Sequence, residues 1–162
     1  MGDYYNGSIT IGGKLPRSKI MELCAAVGAE GAGFDWGVED ANAEAVAALV
    51  ESADFDGELS VYANDALNGS FEDLEDTCRD LGLAYCRHSD ACGEAEAETV
   101  YWRPGMGEPE AVGADNEGHL MIPVDSVRDA IKGDDVGLRR RLDALLAPYD
   151  TTIPKLEIVA DQ

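Results

Sequence analysis

Tyr4-Tyr5-Asn6-Gly7-Ser8-Ile9-Thr10-Ile11-Gly12-Gly13 lies at the start of the chain, and its reading decides the fold. Ser8 to Ile11 alternates polar and β-branched apolar side chains, the period-two pattern of a strand with one buried face. The glycine pair reads as the turn that ends it. The period then changes. Leu15-Pro16 reads as a helix opening, since proline is tolerated in a first turn, and Ile20, Leu23, Cys24 and Val27 follow at helical spacing. Strand followed by amphipathic helix recurs as far as residue 82, after which successive strands and two helices follow.

Gly28 to Gly33 breaks the first helix, and Phe34-Asp35-Trp36 reads as a short strand. A second helix, capped by Asp40 or Asn42, carries Val46, Leu49, Val50 and Ala53. Leu59-Ser60-Val61-Tyr62 again has period two. Ser70 with Asp73 three residues on resembles a capping box, and Phe71, Leu74, Cys78 and Leu81 form the apolar stripe of a third helix that Gly82 ends. Leu83 to Cys86 and Thr99 to Trp102 read as strands. Ala111-Val112 and Leu120-Met121-Ile122 flank a hairpin turn at Asp115-Asn116-Glu117-Gly118. A short helix with Val127, Ala130 and Ile131 follows, then a last helix starting at Gly133-Asp134-Asp135 with Leu138, Leu142, Leu145 and Leu146, stopped by Pro148. Leu156 to Val159 reads as a closing edge strand. The expected fold is a single α+β domain over 1–162, with a mixed, largely antiparallel sheet and helices packed on one face.

The 162 residues include 33 Asp plus Glu against 12 Lys plus Arg, a net charge of −21, with 45% apolar residues to build a core. The excess is local. Residues 1–28 hold three bases and two acids, residues 29–98 two bases and nineteen acids, and residues 99–162 seven bases and twelve acids, giving +1, −17 and −5. Such asymmetry points to an interaction surface rather than a uniform bias. A surface of this sign is repelled by phosphate backbones and anionic lipids, so neither nucleic acid nor membrane is expected as a direct partner. No run approaches the ~18 apolar residues that span a bilayer, and Met1 to Asn6 lacks the basic and apolar regions of a signal peptide. The expected location is the cytoplasm, and the expected partner a basic protein; nothing in the sequence sets an oligomeric state.

Constellations that could carry chemistry are incomplete. Cys86-Arg87-His88-Ser89-Asp90-Ala91-Cys92 lacks the paired short spacings of a zinc site, and Cys24 and Cys78 already belong to helix stripes. Free thiols, no metal and no cofactor are expected. Cys86 with His88 and Asp90 is the least poor catalytic set, without an evident oxyanion donor. Ser52 to Ala63 places oxygens at alternating positions before Gly57 but has Ser and Ala where a calcium loop needs its first and twelfth ligands. Gly12-Gly13-Lys14 is too short for a phosphate loop. His119 and Trp36 have no partner evident in the sequence. Arg139-Arg140-Arg141 reads as a solvated helix face balancing nearby Asp134, Asp135 and Asp143.

The acids themselves remain. With the third-helix stripe inward, Glu72, Asp73, Glu75, Asp76 and Asp80 face out. Acids in the first turn suit the helix dipole, but Asp76 and Asp80 extend an i, i+4 ladder in which each like-charged pair costs a few tenths of a kcal/mol. Glu94, Glu96 and Glu98 at period two would line one face of an extended segment about 6.6–7 Å apart. With Asp54, Asp56 and Glu58, these residues form the candidate partner surface, and Trp36, Phe55 and Tyr62 are candidate apolar anchors. At one charge per ~1.7 Å of duplex, seventeen excess carboxylates match on the order of 29 Å of DNA.

This charge distribution resembles that of the acidic DNA-mimicking anti-defence proteins, anti-CRISPR or anti-restriction in type, of phages and mobile elements. The resemblance implies a non-enzymatic inhibitor acting in a host cytoplasm, which mimics DNA charge and occupies the nucleic-acid groove of a host defence complex. It carries over no individual site residue. Competing readings are a salt-adapted acidic housekeeping protein, whose charge would be spread over every face, an adaptor for a basic protein, and an enzyme built on Cys86, His88 and Asp90.

Overall fold

One long strand organises the sheet. In the computed structural model, which describes residues 3–133 and 135–161, β1 (Tyr4–Pro16) is followed by α1 (Ile20–Ala29), α2 (Ala43–Val50), β2 (Leu59–Leu67), α3 (Glu72–Leu81), β3 (Ala84–Ser89), β4 (Glu98–Trp102), β5 (Glu110–Gly113), α4 (Val124–Ala130), α5 (Leu138–Leu146) and β6 (Leu156–Val159). The architecture is α+β, with five helices and an open six-stranded sheet in the order β2-β1-β3-β4-β5. All pairings on that path are antiparallel, and β6 alone runs parallel, beside the second half of β1.

The glycine pair is not a turn. β1 runs through it and changes partners there: Ile11 faces Leu59 of β2 and Gly12 faces Ala84 of β3, whereas Gly13 to Pro16 pair with Leu156 to Val159. A Cβ on Gly12 would lie 1.7 Å from the Pro154 carbonyl oxygen, and Gly13 has φ +118°. The glycines are therefore present because the segment entering β6 crosses directly over the strand. Leu15 and Pro16 extend the strand rather than open a helix, and a 3₁₀ turn at Arg17–Lys19 precedes α1.

Alternation sorts the sheet into two faces. Ile9, Ile11, Leu59, Val61, Tyr85 and Trp102 join the core with the inner stripes of α1 (Ile20, Leu23, Cys24, Val27), α2 (Val46, Val50) and α3 (Leu74, Cys78), the three helices lying on one face as expected. The opposite face shows Thr10, Ser60, Cys86, His88, Thr99 and Tyr101. The hairpin turn at 115–118 lies over it at His88, and Ile153 and Pro154 cover it at Gly12.

Three local expectations change. Phe34 to Trp36 is not a strand; only Gly33 bridges Tyr62, and Asp40 closes the loop by accepting from the Phe34 N–H at 2.9 Å. Asn42 is the α2 cap, accepting from the Glu44 and Ala45 N–H groups, while Ala53 falls outside the helix and is exposed. Ser70 does not cap α3, because its hydroxyl donates to the Leu67 carbonyl. The free N–H groups there go instead to Glu75 Oε1 (from Phe71, 3.1 Å) and to Glu30 Oε1 at the end of α1 (from Leu74, 3.1 Å).

The hairpin forms at Asp115 to Gly118, with its second arm reduced to one bridge, Ala114 to Leu120. Helix α4 forms as expected, whereas α5 starts at Leu138 after a 3₁₀ turn at Asp135–Gly137 rather than at 133–135, of which Asp134 lies outside the described residues, and the apolar residues of both helices are not buried. Among the described residues no helix is long and apolar enough to cross a membrane.

Gly12→Ala should displace the crossing segment and lower unfolding free energy in urea by at least about 1–3 kcal/mol, the cost of forcing extra atoms into a packed site. Gly107→Ala, which has open space around it, should leave the urea midpoint nearly unchanged.

Candidate acidic interaction surface

The α3 helix presents the most concentrated run of exposed carboxylates. Burial of Leu74 and Cys78 turns Glu72, Asp73, Asp76 and Asp80 to solvent. The ladder Glu72, Asp76, Asp80 repels itself, and the nearest relief is Arg79, which pairs with Asp76 and reaches Glu108 at 4.0 Å. Gly82 in the left-handed conformation (φ 67°) ends the helix, with its N–H donating to the Arg79 carbonyl.

Glu75 does not belong to this surface. Its side chain is 13% exposed and its Oε1 lies 3.0 Å from Arg87 Nε, while also accepting from the Phe71 N–H. Arg87, on the core face of β3, is 6% exposed. Its Nη2 donates to Glu98 Oε1 at 3.1 Å and its Nη1 to the Gly69 carbonyl at 2.8 Å. Glu98, its side chain 41% exposed, is thereby engaged with the buried guanidinium. Burial and the adjacent Glu75 carboxylate push the Tyr85 phenol well above its ordinary range. Two of the eleven candidate acids thus serve an internal ion-pair network, something charge counting along the chain cannot distinguish from a surface.

Other acids, absent from the sequence-based surface, adjoin the start of α3. Glu30 and Asp65 line a groove with Glu72, Asp73 and Tyr4, and a second groove sharing Glu30 and Asp65 extends to Glu39. Burial pushes the Glu30 carboxyl above its ordinary value; the Leu74 N–H opposes the shift, and Asp73 and Glu75 add to it. Glu30, Glu39 and Asp65 come from three separate segments, so only the fold assembles them beside α3.

The remaining candidates lie elsewhere. Asp54, Asp56 and Glu58 occupy the α2–β2 loop, at the opposite end of β2 from Asp65 and about 20–25 Å from it along a strand rising ~3.4 Å per residue. Asp56 accepts from the Glu58 N–H at 3.0 Å, and its carbonyl accepts from Lys155 Nζ at 2.8 Å. Asp56 and Glu58 border a groove with Phe34, Leu49 and Tyr62, and the Trp36 ring tilts over Tyr62 at 5.0 Å. Trp36 is therefore paired, and Phe55 packs against the core. Glu94 and Glu96 do not align with Glu98: Glu94 sits in a turn closed by reciprocal Cys92 and Ala95 backbone bonds, Glu96 precedes the strand, and Glu98 is in β4. Glu94 and Glu96 line a groove with Asp115 and Glu117.

His119, without a partner in the sequence reading, has two. Its Nδ1 lies 3.0 Å from Asp115 Oδ2 and 3.5 Å from Glu117 Oε2. These three side chains are the one grouping of potential metal ligands among the described residues. Asp115 also accepts from the Glu117 and His119 N–H groups, so the bonds of an Asx turn account for the cluster without an ion. The hydrogen bond to Asp115 holds the His119 imidazole above its ordinary value.

The four cysteines do not converge: Cys24 and Cys78 lie in the core, and Cys86 and Cys92 are half-buried on β3 and in the following loop. Burial pushes the Cys86 thiol up, against smaller opposing effects of Thr151, Arg103 and Arg87. That is the reverse of an activated nucleophile. His88 lies 3.4 Å from Thr99 Oγ1 and 3.5 Å from Asp90 Oδ1.

The chain matches no family model, no curated protein and no solved structure.

Two measurements check this description. Arg87→Ala strands Glu75 in a mostly buried position and should cost about 3–5 kcal/mol in chemical unfolding, whereas the exposed Asp76→Asn should stay within about 0.5 kcal/mol of the parent. Glu30 binds its proton more tightly folded than unfolded, so stability should fall as pH rises from the ordinary carboxylate value through the raised one. Glu30→Gln, which keeps an acceptor for the Leu74 N–H, should flatten that part of the stability profile.

Proposed function

We propose that the protein is a non-enzymatic inhibitor that mimics DNA charge and occupies the nucleic-acid groove of a defence complex, with the exposed face of α3 as its principal contact. One observation carries the reading. Residues 29–98 hold nineteen acids and two cations, and both cations are paired with acids of the same segment, Arg79 with Asp76 at the surface and the buried Arg87 with Glu75 and Glu98. A partner meeting this region encounters Glu72, Asp73, Asp76 and Asp80, flanked by Glu30, Glu39 and Asp65, with no free positive charge among the described residues of the segment. Pairing such a surface with a cationic groove releases the small ions associated with both and accelerates encounter, and both effects weaken steeply with salt. Charge governs association more than residence, so a durable complex needs an apolar anchor; Tyr4, 61% exposed, lines the groove with Glu30, Asp65, Glu72 and Asp73, whereas the tilted Trp36–Tyr62 pair adjoins Asp56 and Glu58.

A second reading, salt adaptation, draws on the acids away from α3. Asp54 to Glu58, Glu94 with Glu96, and Asp115 with Glu117 lie at other places on the molecule. It requires no partner and predicts a thermal midpoint that climbs strongly at molar salt.

The tagged protein, incubated with bacterial lysate at low salt, should retain nucleic-acid-binding complexes that elute with a short DNA duplex as competitor and with rising salt. Asp73→Lys/Asp76→Lys/Asp80→Lys should keep the parent's circular dichroism and lose most of that retention. Retention by the triple variant equal to the parent, or complexes that duplex DNA does not displace, would exclude α3 as a DNA mimic.

A further inference from the structure

From Asp115 through Lys155 no described residue is buried, although this stretch contains α4 and α5. Helices of seven and nine residues lie well below the ~12–15 residues at which an isolated helix becomes marginal in water, so they depend on packing. Their mutual contact gives only part of it. Arg141 Nε donates to the Ala130 carbonyl at 2.9 Å, tying the two helices together, and Leu138, Leu142 and Leu145 are half-buried. Val124, Val127 and Ile131, spaced i, i+3 and i+7 on one face of α4, remain 63%, 37% and 55% exposed, with Met121 before them and Leu146 of α5 also open. A patterned apolar face without cover marks an interaction site.

Electrostatics identifies the occupant. In a chain of net charge −21, residues 124–149 hold five bases and five acids and are neutral. Two copies approaching by the acidic surfaces bring an excess of carboxylates together; through this helix pair bases balance the acids. Both signs stand side by side along it, in the pairs Asp125–Arg128 at 2.8 Å, Asp129–Lys132 at 2.5 Å and Arg139–Asp143 at 3.9 Å. A surface carrying both signs is self-complementary, as an isologous interface requires. A neutral surface offers no net attraction to a strongly cationic or a strongly anionic target.

We propose that α4 and α5 are the dimerisation element of this protein, packing through the Val124, Val127 and Ile131 face on the same helices of a second copy to form a four-helix layer. The inference is independent of the DNA-mimic reading. Apolar burial drives the association and the acidic remainder of each copy opposes it, so added salt, by screening the repulsion, strengthens the dimer. A contact between acidic α3 and the arginines of α5 has the opposite salt dependence.

Sedimentation equilibrium of the full chain should give twice the 17.2 kDa monomer mass at tens of micromolar, with the dissociation constant falling between 0.05 and 0.5 M NaCl. Ile131→Asp and, separately, Val127→Asp change exposed residues; each should weaken association by at least about 30-fold, the effect of a central interface residue, with the circular dichroism of the core elements retained. Asp73→Lys/Asp76→Lys/Asp80→Lys should leave the mass unchanged. A monomer throughout, a dimer indifferent to both apolar substitutions, or a dimer that salt dissociates and the α3 reversal abolishes would each overturn the proposal.

Discussion

The buried Arg87 guanidinium is the constraint on which the arrangement of the acidic helix depends. It lies on the core face of β3, takes Glu75 from α3 on one side and Glu98 from β4 on another, and donates to the Gly69 carbonyl in the turn between β2 and α3. Removing such a charge from water costs several kcal/mol, and only multiple well-formed bonds offset it. The same glycine is forced: Gly69 has φ +65°, and a Cβ there would meet Ser89 Cβ at 2.5 Å. One cation thus fixes the start of α3, its orientation over the sheet and the β3–β4 pairing. It also holds an intensely acidic helix against the body of the protein, where self-repulsion alone would favour letting it go.

The elements legible in the sequence are those whose cause is local. The stripes Ile20, Leu23, Cys24, Val27 and Phe71, Leu74, Cys78 are set by helical periodicity and are buried as that periodicity requires. Gly82 ends α3 because its φ of 67° suits a residue without a side chain. The misreadings have causes distant in sequence. Gly12-Gly13 resembles a turn, but its glycines answer to Pro154 and Lys155, about 140 positions away. Ser70 resembles a cap, but Glu30 from α1 and Glu75 supply the acceptors. No window around Gly12-Gly13 contains the segment that decides it, and at Ser70 only Glu75 is local, since Glu30 stands 44 positions from the Leu74 N–H it accepts.

The same division governs the candidate surface. A helix exposes acids at a predictable spacing, so Glu72, Asp73, Asp76 and Asp80 could be placed outward from the sequence. Glu75 could not be distinguished from them, since its inward turn depends on an arginine in the next element, β3. Glu30, Glu39 and Asp65 were illegible for the complementary reason, being unremarkable singly and significant only where α1, β2 and α3 meet. The −17 segment is therefore partitioned in space: one part forms the α3 region, part neutralises a buried cation, and Asp56, Glu58, Glu94 and Glu96 edge grooves near Tyr62 and near Asp115.

Helices α4 and α5 show a different limit of periodicity. The spacing of Val124, Val127 and Ile131 carries the same information as the stripe of α1, yet α1 is covered by its own sheet and α4 is open. An amphipathic pattern states that a face requires cover without stating whose. Charge supplies the missing term here, because a strongly acidic chain that leaves an apolar, neutral helix pair has removed the net electrostatic opposition at that place. The acids over much of the rest of the molecule oppose self-association through their own faces and so favour contact through the helix pair.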